Sequence, residues 1–150
     1  MHADEQWMAL ALEEAGRGAE AGEVPVGAVV VVEGRLMDRA HNTPISLSDP
    51  TAHAEILALR SAARETGNYR LTAATLYVTV EPCVMCCGAA LHARIARLVY
   101  GAEDPKAGAV QSLYRLLEDP RLNHRVEVAS GVLAAACGAR LSEFFRARRA

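Results

Sequence analysis

The chain lacks any run of apolar residues long enough to cross a membrane, any low-complexity linker and any internal repeat. The first absence excludes a transmembrane helix, which takes about 20 consecutive apolar residues. The opening stretch carries Asp4, Glu5, Glu13 and Glu14 and has neither the basic start nor the apolar core of a secretory signal, so the protein is expected to stay in the cytoplasm. Cysteine is sparse, with four in 150 residues. In a reducing compartment those thiols read as metal ligands and buried groups rather than as disulfides. Net charge is small as well, at −2. Nonspecific nucleic-acid binding is mostly phosphate neutralisation, so this balance argues against broad affinity for nucleic acid. It leaves room for a small basic groove, with Arg94, Lys106, Arg146, Arg148 and Arg149 as candidates to line it.

What is present is a chain that is 51% hydrophobic, consistent with one domain over residues 1–150 that buries about 70% of the surface its unfolded chain exposes. Residues 6–20 place Trp7, Leu10, Ala11 and Ala15 on one side of an amphipathic helix that Gly22 closes. Segments 26–32 and 36–40 read as a hairpin. Helices are expected over 52–65, 84–93, 111–118 and 131–147, and strands over 75–80, 96–100 and 125–130. A hairpin followed by alternating helices and strands gives an α/β fold: a mixed sheet with helices on both faces and ligands at the ends of its strands.

Two short segments carry the chemistry: His53-Ala54-Glu55, and Pro82-Cys83-Val84-Met85-Cys86. One imidazole and two thiolates are a soft donor set that suits zinc, and three protein ligands leave a fourth position for water. Pro82 follows the apolar run 75–80 and falls where a helix begins, which puts Cys83 and Cys86 three residues apart in its first turn. The positive end of a helix also favours the thiolate. His53 and Glu55 stand at a second helix start, after the capping residues Asp49-Pro50-Thr51. Side chains lean toward the helix N-terminus, so both can converge on something just beyond it. Each motif has a plainer reading. A lone histidine in an alanine-rich segment is more often a packed residue, and a lone CxxC after a strand also suits a thioredoxin-like dithiol. That dithiol leaves His53 and Glu55 unexplained. A structural zinc ribbon wants a fourth ligand, yet Cys87 points about 100° away around the helix and Cys137 lies far along the chain.

The HxE and PCxxC pair resembles the signature of the zinc-dependent nucleoside and nucleobase deaminases. Within them the chain is most similar to the bacterial tRNA-specific adenosine deaminases. The likeness runs through Glu23-Val24-Pro25-Val26-Gly27, Asn42-Thr43-Pro44-Ile45, Asp104-Pro105-Lys106, Asn123-His124-Arg125-Val126 and Phe144-Phe145-Arg146. It implies a three-layer α/β/α cytidine-deaminase-like fold with a central mixed five-stranded sheet, and a homodimer. It implies one Zn2+ per subunit on His53, Cys83 and Cys86, with Glu55 as the proton carrier that turns adenosine into inosine at the wobble position of a tRNA anticodon loop. By the same resemblance Asn42 hydrogen-bonds a flipped base, the Ala54 backbone lies against it, Asp104 sits near a neighbouring ribose-phosphate, and Lys106 lies near phosphate. Arg148 and Arg149 are expected to contact the anticodon stem-loop. Asn42 and Asp104-Pro105 are also ordinary turn residues, and a basic helix end is commonly just solvated. A deaminase of a free base or nucleoside, such as guanine or cytosine, is the alternative that shares the metal site. Cys87 and Gln111 depart from the family pattern. Cys87 is expected to be a packing variant and not a ligand, and Gln111 to affect loop shape.

Overall fold

The computed structural model describes residues 2–149. Five strands form one sheet in the order β2-β1-β3-β4-β5. β1 (Gly27–Val32) runs antiparallel to β2 (Arg35–His41) and to β3 (Ala74–Val80), while β4 (Arg97–Ala102) and β5 (Glu127–Ala129) lie parallel to β3. The β1–β2 hairpin turns on Glu33 and Gly34, both at positive φ, 50° and 76°. That conformation suits glycine and gives the turn a twist that matches the strands.

Alternating side chains send the strands' apolar residues to two faces. Ala28, Val30, Leu76, Val78, Leu98 and Tyr100 pack on one side against α3 (Ala54–Thr66) and α4 (Val84–Ala93). Val29, Val31, Tyr77 and Val99 pack on the other against Met8 and Ala11 of α1 (His2–Glu20) and Cys137 of α5 (Ala134–Arg149). The result is the three-layer α/β/α arrangement around a mixed five-stranded sheet. Gly27 lets α1 lie close against β1: a Cβ there would lie 1.9 Å from the Ala11 carbonyl oxygen.

Several elements differ from the sequence expectation. The helix expected over 111–118 is absent, and only a 3-10 turn at Leu116–Glu118 forms. Its backbone N–H groups do not reach four residues back: Leu113 donates to the Gly108 carbonyl and Leu116 to the Ala109 carbonyl, while those of Gln111 and Ser112, with Val110 before them, converge on the carboxylate of Glu81. α1 begins a turn earlier than residue 6, where Asp4 receives two hydrogen bonds from Arg97 and one from Tyr77. α5 begins at Ala134 instead of 131, after Gly131 and Leu133 adopt positive φ. An extra short helix, α2 (Pro44–Leu47), follows β2. Among the described residues no helix is long and apolar enough to cross a membrane.

Candidate metal and catalytic site

The site forms where β1, β2 and β3 meet at one end of the sheet. Because β1 is antiparallel to β3, the start of β1 and the ends of β2 and β3 share this edge, and α3 and α4 both begin here. α3 starts two residues later than the sequence suggests, with His53 as its N-cap; Cys83 likewise is the N-cap of α4 rather than a first-turn residue. Both adopt extended backbone, and neither side chain makes the usual capping hydrogen bond to its own helix. An N-cap side chain ordinarily turns back to an unpaired N–H of the first turn. These two turn toward each other instead.

His53 Nδ1 lies 3.7 Å from Cys83 Sγ and 3.4 Å from Cys86 Sγ, and the two sulfurs are 3.8 Å apart. Tetrahedral zinc with ordinary bond lengths requires S···S edges of about 3.8 Å and N···S edges of about 3.6 Å. The three distances match a triangular face of such a tetrahedron. Among the described residues these are the one His/Cys/Asp/Glu group close enough to hold a cation. All four cysteines are free thiols. The donor set therefore fits zinc, and a dithiol reading leaves the imidazole without a purpose.

Electrostatics follow from the same clustering. Hydrogen bonds from Cys86 and His53 bring the Cys83 thiol down to about 3, while the neighbouring Cys83 sulfur and burial push Cys86 up. Two sulfurs sharing one proton behave this way, and a bound divalent cation displaces that proton. Glu55, 4% exposed on the first turn of α3, is pushed above the usual carboxylate range, mainly by burial. A buried carboxyl at the start of α3, beside the donor triangle, is placed to accept a proton and return it.

Asn42 follows β2 and is fixed by two bonds. Its N–H donates to the Val26 carbonyl at 3.1 Å, and its Oδ1 accepts from Ala54 N–H at 2.8 Å. The second bond caps α3 in place of the His53 side chain, so the Ala54 N–H is not free for a ligand. With Oδ1 committed, Nδ2 remains as a donor and makes no hydrogen bond among the described residues. The α2 turn beyond it is held by Glu23, fully buried, which accepts from Ile45 N–H at 3.2 Å and from Ser46 N–H and Oγ at 2.7 Å.

The remaining residues singled out in the sequence have different surroundings. Asp104 follows β4; its Oδ1 accepts from the N–H groups of Lys106 and Ala107, which shapes the turn that carries the exposed Lys106 side chain. Arg148 lays its guanidinium 4.2 Å above the Phe144 ring and donates to the Gly22 carbonyl at 3.0 Å, tying α5 to the end of α1. Arg149 is exposed at the end of α5. The Asn-His-Arg segment braces the fold: Asn123 accepts from Arg94, and His124 Nε2 donates to the Ile95 carbonyl at 2.9 Å. Cys87 is fully buried beside the Pro82 carbonyl, outside the donor triangle, and burial raises its thiol to about 12. The Gln111 side chain is clipped to the Tyr100 hydroxyl. In the sequence Glu81 reads only as the end of a strand and Glu23 only as part of the family likeness, so neither buried carboxylate is found there. For Glu81 the available signal was a carboxylate placed directly against an apolar strand, at Val80-Glu81; Glu23 stands four residues before β1 and carries no such signal.

Comparison with known proteins agrees with this geometry. The family model of MafB19-like deaminases matches residues 2–149. A tRNA-specific adenosine deaminase of Haemophilus influenzae is 53% identical over 147 residues, 97% of this chain and 85% of that protein. A solved structure from studies of A-to-I editing by tRNA:A34 deaminases at the wobble position superposes with a TM-score of 0.88 at 47% identity, covering 91% of this chain and 99% of that one. A guanine deaminase from Nitrosomonas europaea is more distant, with a TM-score of 0.81 at 26% identity over 93% of this chain and 83% of that one.

Proposed function

The chain belongs to the MafB19-like deaminase family, and we propose that it is a tRNA-specific adenosine deaminase, converting adenosine to inosine at the wobble position of an anticodon loop. The observation that carries the reading is the donor triangle of His53, Cys83 and Cys86 beside the buried carboxyl of Glu55. The 53% identity to a tRNA-specific relative supports the tRNA substrate over a free base.

His53 Nδ1 and the sulfurs of Cys83 and Cys86 would hold one Zn2+ per subunit. When bound, the cation supplies Lewis acidity and a water that ionises near neutral pH. Glu55 then does the proton work. It takes a proton from the attacking water as oxygen adds at C6 of adenine, and passes that proton to N1. It next moves the remaining hydroxyl proton to the exocyclic amine; the C6–N bond breaks, ammonia leaves, and C6 becomes a carbonyl. General acid/base transfer of this kind is worth about 10² to 10⁴ in rate. Asn42 Nδ2 is the donor that faces an acceptor on the flipped base, and the Ala54 backbone lines the same wall through atoms other than its N–H. Asp104 lies along the neighbouring ribose-phosphate, with Lys106, Arg148 and Arg149 toward phosphate. Recognition of a single-stranded loop rests on splayed bases and shape, which suits a chain of net charge −2.

The same reading includes one domain, a cytoplasmic site of action where tRNA is found, and a homodimer. Exposed apolar residues beside the metal helix support the last: Val84, Leu122 and Tyr69 line one groove along α4, and Tyr114 lines a second that shares Leu116 with it. The test is to supply the zinc-loaded protein with an anticodon stem-loop bearing adenosine at the wobble position, and separately with free guanine, cytosine and adenosine. Inosine in the RNA is expected. Ammonia from a free base with none from the RNA would overturn the tRNA assignment in favour of a small-molecule deaminase.

A further inference from the structure

The geometry points to Glu81 as a positioning residue that sets substrate affinity, by mooring the loop that carries Asp104 and Lys106 to the metal-ligand segment. The inference rests on the tRNA reading above and extends it to a residue outside the metal site.

β3 and β4 are parallel neighbours, with Val80 beside Ala102. The chain therefore leaves both strands side by side, as Glu81-Pro82-Cys83 on one and Glu103-Asp104 on the other. Open α/β sheets place ligands at this edge. Glu81 bridges the two exits. It is 3% exposed. Its Oε1 accepts from Asp104 N–H at 3.1 Å and from the Ser112 hydroxyl. Its Oε2 accepts from the N–H groups of Val110 at 3.1 Å, Gln111 at 2.8 Å and Ser112 at 2.9 Å. Ala109 N–H adds a bond of 2.8 Å to the Pro82 carbonyl. Gly108 admits the carboxylate, since a Cβ there would fall 2.3 Å from Glu81 Cδ.

One side chain thus supplies acceptors to both ends of the 104–112 loop. These N–H groups face an anion in a buried place, where losing the acceptor leaves several donors unpaired at once. Asp104 depends on it directly through its own N–H, and through Asp104 so does the turn that presents Lys106. Glu81 itself neither ligates metal nor touches the proton pathway. Releasing the loop should therefore weaken RNA binding while the chemical step proceeds.

The experiment compares the zinc-loaded wild type, Glu81→Gln and Ser112→Ala. It measures KM and kcat for the adenosine stem-loop, the dissociation constant for the inosine-bearing product stem-loop, and zinc content. Glu81→Gln keeps shape and one acceptor but turns an amide donor toward N–H groups. It is expected to raise KM and the product dissociation constant about tenfold with kcat within about threefold of wild type and zinc unchanged. Ser112→Ala removes the hydroxyl bond alone and is expected to raise both by about threefold. If Glu81→Gln does not fold, Ser112→Ala carries the test, and wild-type affinity in that variant overturns the inference. A folded, zinc-loaded Glu81→Gln overturns it either by binding like wild type or by losing kcat at unchanged KM. A wild type that makes no inosine sinks the tRNA reading instead, so the two failures are separate.

Discussion

Asn42 offers a substitution pair that separates structure from recognition. Its Oδ1 caps α3 at Ala54 N–H, and its Nδ2 is the free donor assigned to the base. Asn42→Ala removes both. Loss of the cap costs about 1 kcal/mol, which in a chain of this size lowers Tm by about 3 °C. Leaving the buried acceptor of the base unpaired costs a further 1 to 3 kcal/mol or so, which lowers kcat/KM by roughly 5- to 150-fold. Asn42→Asp keeps an oxygen for the Ala54 N–H and places negative charge at a helix start, where it is favoured. Its Tm should stay within about 1 °C of wild type or rise. Yet the donor has become an acceptor facing an acceptor, so its kcat/KM should fall at least as far as that of Asn42→Ala, by about 100-fold or more. Thermal melts and initial rates of inosine formation on the stem-loop read the two effects apart. Near-wild-type turnover in Asn42→Asp would refute the donor assignment. An equal drop in Tm for both variants would refute the cap.

Two further predictions concern the scaffold. Cys87→Ala should retain one zinc per chain by elemental analysis and cost about 1 kcal/mol of stability from the small void it leaves; loss of metal would make Cys87 a ligand. Asp4 is held below its ordinary value of 3.8, first by the hydrogen bond from Arg97, with Tyr77 assisting and burial opposing. A depressed carboxyl contributes stability that is present above about pH 4 and is lost as pH falls through the folded value. Asp4→Asn should therefore lower Tm at pH 7 and flatten the fall in Tm below about pH 4, whereas parallel curves for variant and wild type would deny that Asp4 matters.

The local code was legible where chemistry is local. The β-branched run before Glu81-Pro82 gave β3, and the spacing of His53, Cys83 and Cys86 gave the donor set that the fold brings together. The reading erred where a distant group captured the backbone. The helix expected over 111–118 gives way because Leu113 and Leu116 donate to the Gly108 and Ala109 carbonyls, five and seven residues back, around a loop whose 110–112 N–H groups converge on a carboxylate about thirty residues earlier, and no local pattern reports those bonds. The same holds for α3, whose cap comes from Asn42 and not from the residue beside it. His124 matches the family's Asn-His-Arg segment without a role attached, and its bond to the carbonyl of Ile95 depends on β5 lying beside β4. Arg148 is likewise drawn onto Phe144 and Gly22, which its position near the chain end does not announce.

The most direct test of the account places wild type beside Glu55→Ala on the wobble-adenosine stem-loop, with zinc measured in both. The account predicts one zinc per chain in each protein, inosine at the wobble position with wild type, and turnover lowered by about 10² to 10⁴ in the variant. Equal inosine formation by the two, or a wild type that edits the RNA without binding zinc, would contradict it.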